Sequence, residues 1–235
     1  MQNENTHQPN SKSDNNDDIE TLEAEVREAI AHGSNIQETV HRLTLKAMNA
    51  KNIDLNSLQR IITAVMQGVH DGAEQQLLQA ANQAHAAKSQ ITEAVAGLDS
   101  ALARFAEASK LAVEEAAGQA KKFSDTELTR TRSDLESLES LESLFLDTLR
   151  HTATAAQGLV ADILLDLSHH AQNTGTNVGS QLKETLATFA QQVASVGQTQ
   201  VETGATLAQK TADFVSKAAN GVLSGIKDQA NNNKH

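Results

Sequence analysis

Residues 1–17 are Asn, Gln, Ser and Asp for the most part, with the one proline, Pro9, and no hydrophobic position after Met1. Ordering them would cost chain entropy with nothing buried in return, so a disordered tail is expected. From Asp18 the pattern becomes periodic. Ile19, Leu22, Val26 and Ile30 recur at helical spacing and predict an amphipathic helix ending at Gly33, with Asp17, Asp18 and Glu20 where the helix dipole favours anions. Ser34 and Gln37 suggest a capping box for a second helix with the face Ile36, Val40, Leu43 and Ala47. Lys46 and Lys51 suit its C-terminal end. Asp54 can cap a third helix carrying Leu55, Leu58, Ile61, Ile62, Val65, Met66 and Val69, the strongest stripe in the chain. Residues 18–72 therefore read as a small helical unit.

Residues 73–175 read as long antiparallel helical arms. Leu77, Leu78, Ala81, Ala84 and Ala87 give a thin, alanine-rich stripe, and Ile91, Val95, Leu98, Leu102, Phe105 and Ala112 continue it in steps of four and three, as coiled-coil packing requires. Unbroken helix from Asp54 to Gly118 would be about 95 Å long at about 1.5 Å per residue, beyond an ordinary globular helix. Ser124 to Glu127 form another capping box, so the chain is expected to turn back near residues 121–124. A triplet repeat follows, Leu-Glu-Ser at Leu135, Leu138 and Leu141, and its short period spreads leucine over a wide helical face. Phe145, Leu149, Ala156, Leu159, Val160, Ile163, Leu164 and Leu167 then form one broad stripe, which Asn173-Thr174-Gly175 should end. Residues 176–235 read as an amphipathic helix rich in Ala, Thr, Gln and Gly, with a frayed C-terminal tail.

Composition narrows the function. With 2% aromatic and 39% hydrophobic residues, the chain lacks the aromatic walls and dry core typical of a compact enzyme site. It has no cysteine, which removes disulfides, thiolate catalysis, iron–sulfur clusters and Cys-ligated zinc together. A net charge of −11, without aromatics among the basic residues, argues against nucleic acid as a partner. No stretch approaches the roughly 18 apolar residues of a transmembrane span, and the N-terminal residues lack a signal-peptide pattern. A cytoplasmic location is the resulting expectation.

Few motifs carry chemistry. Three GxxxG spacings, Gly68 to Gly72, Gly175 to Gly179 and Gly221 to Gly225, lie in segments too polar for membrane helices, and read as bends, caps or room for a neighbouring helix. The best catalytic pattern is a pair of carboxylate-x-x-His spacings, Glu38 to His41 and Asp166 to His169, of the kind that di-iron bundles use. The bundle pattern also needs two further inward glutamates, which the apolar stripes do not contain. These residues therefore read as solvated surface positions. No catalytic residue, metal ligand or cofactor is assigned.

Two resemblances arise. The stretches 24–29, 36–47 and 64–69, with 107–116 and 144–149, resemble an uncharacterised family of bacterial all-helical proteins. That resemblance implies a helical fold and assigns no activity. The Ala/Gln/Thr-rich composition of residues 181–217 is similar to phasins, amphipathic helical proteins that coat polyester storage granules, and implies a hydrophobic surface as partner.

The expected fold is all-α: long amphipathic helices folding back as an elongated bundle or coiled coil, preceded by the small helical unit. The expected function is a non-enzymatic cytoplasmic scaffold or self-associating interaction protein, its partner a protein and most simply a second copy. Its packing seam would be Ile91, Val95, Leu98, Leu102, Phe105, Leu135, Leu138, Phe145, Leu149, Ile163 and Leu167. The alternative is a coat on a hydrophobic granule or lipid surface, with the face Leu182, Leu186, Phe189, Val193, Phe214, Val222 and Ile226.

Overall fold

The computed structural model describes residues 11–49, 54–79, 84–119, 138 and 140–197. Almost all of these are helical and none is in a strand, so the fold is all-α. The helices are α1 (Ser11–His32), α2 (Ile36–Asn49), α3 (Leu55–Gln79), α4 (Ala84–Gln119), α5 (Leu141–Ala155), α6 (Gly158–Thr174) and α7 (Asn177–Gly197). They build two compact units. The first comprises the described residues within 1–102 and 143–175, the second those within 103–142 and 176–235. The boundary expected at residue 72 falls inside α3, whose stripe continues to the buried Ala73.

In the first unit α1 lies on α3 through Leu22, Val26 and Ile30, all buried. Removing side chains of this size from water contributes roughly 1.5–3 kcal/mol each. The helix starts at Ser11, ahead of the periodic pattern and within the stretch expected to be a disordered tail. A tertiary hydrogen bond, not hydrophobicity, ties this stretch down: Asn16 Oδ1 accepts from Arg60 Nη2 of α3 at 2.6 Å. Residues 1–10 lie outside the described residues.

The close contact between α1 and α3 depends on the first GxxxG pair. A β-carbon at Gly68 would stand 2.6 Å from the Glu23 carbonyl oxygen and 2.9 Å from Val26 Cβ; at Gly72 it would stand 2.7 Å from Ile30 Cβ. All three distances are below van der Waals contact, so α1 occupies the space that side chains would fill. The glycines make room for a neighbouring helix, one of the roles expected of them.

Helix starts differ in how they are satisfied. Asp54 caps α3 as expected: the Ser57 backbone N–H donates to Asp54 Oδ1 at 2.7 Å. These hydrogen bonds hold the Asp54 carboxyl below its usual 3.8. The capping box expected at Ser34 and Gln37 is displaced, because α2 opens with the Thr39 N–H donating to the Asn35 carbonyl. Asn35 takes a left-handed φ of 53°, which asparagine tolerates better than most residues. The buried face of α2 is Ile36, Val40, Leu43, Thr44 and Met48, and Thr44 satisfies its hydroxyl on the Val40 carbonyl.

The broad stripe from Phe145 to Leu167 is divided between two helices. Ala156 and Gln157 interrupt it, Gln157 being extended, and α6 restarts at Gly158 with a φ of +56°. The cause is local. Gly158 adopts a left-handed backbone conformation that costs other residues about 1 kcal/mol or more. The expected end at Asn173-Thr174-Gly175 is where α6 stops, with the Gly175 N–H on the Ala171 carbonyl. Helix α3 spans Leu55–Gln79 and α4 spans Ala84–Gln119, and residues 80–83 between them lie outside the described residues. The turn expected at 121–124 lies outside the described residues.

Candidate interaction site

The proposed seam falls on strongly buried positions. On α4, Ile91, Leu98 and Leu102 are fully buried and Val95 nearly so, while Phe105 is half-buried. The wall between them is made of small residues, Ala87, Ala94, Gly97, Ala101 and Ala106. Small residues allow helix axes to approach, and at Gly97 an added β-carbon would strike the Gln37 carbonyl oxygen of α2. Gly97 was not among the positions singled out in the sequence, although a glycine inside a regular helical stripe was the available signal.

Leu138, Phe145, Leu149 and Ile163 are buried, and Leu167 is half-buried. Leu135 lies outside the described residues. These positions do their packing within the chain. A few large apolar side chains remain outside it: Leu78 on α3 is 88% exposed and Leu111 on α4 is 58% exposed. Leu111 stands two turns beyond Arg104 and one beyond Glu107, on a polar face of α4, where those two side chains pair.

The face assigned to surface binding is only partly described. Leu182 and Leu186 are buried within the second unit, together with Val178 and Thr185. Phe189 and Val193 belong to α7, while Phe214, Val222 and Ile226 lie outside the described residues. Two polar contacts hold this end of α7. Thr185 Oγ1 is 3.3 Å from the Ala106 carbonyl oxygen and 2.8 Å from the Gln181 carbonyl oxygen. Thr176 caps the helix: its Oγ1 accepts the Gly179 N–H at 2.9 Å and donates to Glu142 Oε1 at 2.6 Å. The Glu142 carboxylate therefore sits at the positive end of the α7 dipole and packs on Gly179, where it fills the space of a β-carbon.

The polar groups considered for catalysis are dispersed. Glu38 is exposed and His41 half-buried; Asp166, His169 and His170 are exposed, and Asp166 lies 4.0 Å from Lys88 Nζ. Among the described residues no group of three or more His, Cys, Asp and Glu is placed to hold a metal ion. One polar cluster was not anticipated. His70 of α3, with 15% of its side chain exposed, has Nδ1 2.8 Å from Asp71 Oδ1 and Nε2 3.3 Å from Glu74 Oε1. Gln67 donates to the same Asp71 oxygen at 2.8 Å. The spacing of residues 67, 70, 71 and 74 places all four on one side of α3, a signal that the stronger stripe beside it obscured.

No helix among the described residues is long and apolar enough to cross a membrane. No curated protein and no solved structure matches the chain. A family model does match, over residues 12–232, which takes in every helix described above but for the first residue of α1. The chain accordingly belongs to DUF6781, a family of unknown function.

Proposed function

We propose that the chain is a non-enzymatic, cytoplasmic helical scaffold that works by self-association, its long helices forming an elongated bundle. The observation that carries this reading is the pair of exposed leucines, Leu78 and Leu111, left on outward faces of helices whose other large apolar positions are nearly all buried. Isolated exposed leucines are common on protein surfaces. Here they stand on the outward sides of long helices, where a second helix can pack without displacing the side chains buried inside the chain. A second copy of the chain supplies such a helix. Chemical cross-linking of the purified protein tests this: covalent dimers or higher species that disappear in Leu78→Glu with Leu111→Glu support it. Cross-linking that yields monomer alone counts against it.

A second reading is favoured by α7. Its sequence carries one lysine, Lys183, and one glutamate, Glu184, so its side chains sum to zero charge within a chain of −11. An uncharged amphipathic helix suits a coat on a neutral hydrophobic surface better than one on an anionic membrane, from which the rest of the chain is repelled. Flotation with neutral lipid droplets, lost in a chain ending at Gly175, supports that role.

A further inference from the structure

The inward side of α7 consists of Val178, Leu182, Thr185 and Leu186, whereas Ser180, Lys183, Glu184 and Ala187 are exposed. One helix cannot present the same side to its own chain and to an external surface. Two points fasten the inward side. Thr185 Oγ1 reaches the Ala106 carbonyl oxygen at 3.3 Å, and Thr176 Oγ1 joins Glu142 Oε1 at 2.6 Å while capping the helix. The Glu142 carboxylate has a second hold, since it packs on Gly179 and faces the N-terminal dipole of α7.

We propose that these contacts are a latch: the apolar side of α7 is closed on residues 106 and 142, and it engages an uncharged lipid surface only after release. The proposal rests on the coat reading above and adds its regulation. The neutral charge of α7 selects the surface, because an anionic bilayer attracts neither α7 nor the chain of −11. Binding and release are linked. A surface that binds only the open form binds more tightly by whatever factor the open population rises.

The absence of cysteine provides a clean test. In the full chain, Ala106→Cys with Thr185→Cys places a disulfide across the first contact, and Glu142→Ala removes the second. Each is mixed with triglyceride droplets coated in phosphatidylcholine and centrifuged, with helicity checked by circular dichroism. The parent should float, the reduced pair, which lacks the Thr185 hydroxyl contact, should float at least as well, and the oxidised pair about tenfold less than the reduced; Glu142→Ala should bind at about tenfold lower lipid, the shift that one charge-assisted hydrogen bond is worth. Equal flotation of the oxidised and reduced pair, with Glu142→Ala unchanged, removes the latch and leaves the coat reading standing. No flotation by any form, Glu142→Ala included, removes both. Release that yields dimers without flotation assigns the face to a second copy and overturns the proposal. If the cysteine pair misfolds, the response of Glu142→Ala decides alone.

Discussion

At Gly68 and Gly72, helix propensity and packing oppose each other. Alanine would gain about 1 kcal/mol over glycine in a free helix. Here its β-carbon would fall within 3 Å of the α1 backbone or of Val26 and Ile30. Rigid backbone cannot yield as a flexible side chain can, so overpacking dominates. Gly72→Ala should destabilise the first unit by up to about 2 kcal/mol, the overpacking cost less the propensity gain, as read by urea unfolding. A stabilised variant, showing the propensity gain alone, would mean that α1 does not lie this close. Asp54 supplies a second test. Asp54→Ala should cost about 1 kcal/mol near neutral pH through the lost cap. Since hydrogen bonds lower its folded pKa below 3.8, the charged cap contributes fully above that value and is lost as pH falls through the folded pKa. The gap between parent and Asp54→Ala should therefore close in acid, and a gap that persists there would assign the cost to something else. The Asp54 cap was legible because a carboxylate before an apolar stripe has few other roles. Gly97 was not, because its reason is the Gln37 backbone of another helix.

The helices themselves followed from hydrophobic period, and their ends from local chemistry that the period does not contain. Gly33 and Gly175 were readable as stops since glycine follows the last apolar position in each case. The interruption at Ala156 and Gln157 was not, because Leu149, Ala156, Leu159 and Val160 keep an apolar rhythm across it. The extended backbone at Gln157 and the left-handed glycine after it outweigh that rhythm. Gly158→Ala should accordingly cost about 1–2 kcal/mol, as a β-carbon is forced into the left-handed region. A stabilised variant would indicate that α5 and α6 join into one helix in solution. The start of α1 at Ser11 erred in the opposite direction. Asn16 and Asp17 are exposed, yet the Arg60 contact and continuity with the amphipathic turns extend the helix.

For the whole molecule, the all-α class was legible from the first pass because no segment alternates at the period of a strand. The division into units was not. Residues 143–175 belong with 1–102, and that association depends on contacts distant in sequence. The seam positions were chosen by spacing, and burial at Ile91, Leu98, Leu102, Phe145 and Leu149 gives them packing work inside the chain. That leaves Leu78 and Leu111 as the apolar positions from which self-association is argued; neither belongs to the seam that spacing selected, although Leu78 stands in the thin stripe before it. The most direct measurement is light-scattering mass during size-exclusion chromatography, comparing the parent with Leu78→Glu and Leu111→Glu combined. The account predicts a parent mass that is a multiple of 25.1 kDa and a variant that keeps its helicity but elutes at the monomer mass. A parent at 25.1 kDa across the concentration range would contradict self-association and direct attention to the surface of α7 instead.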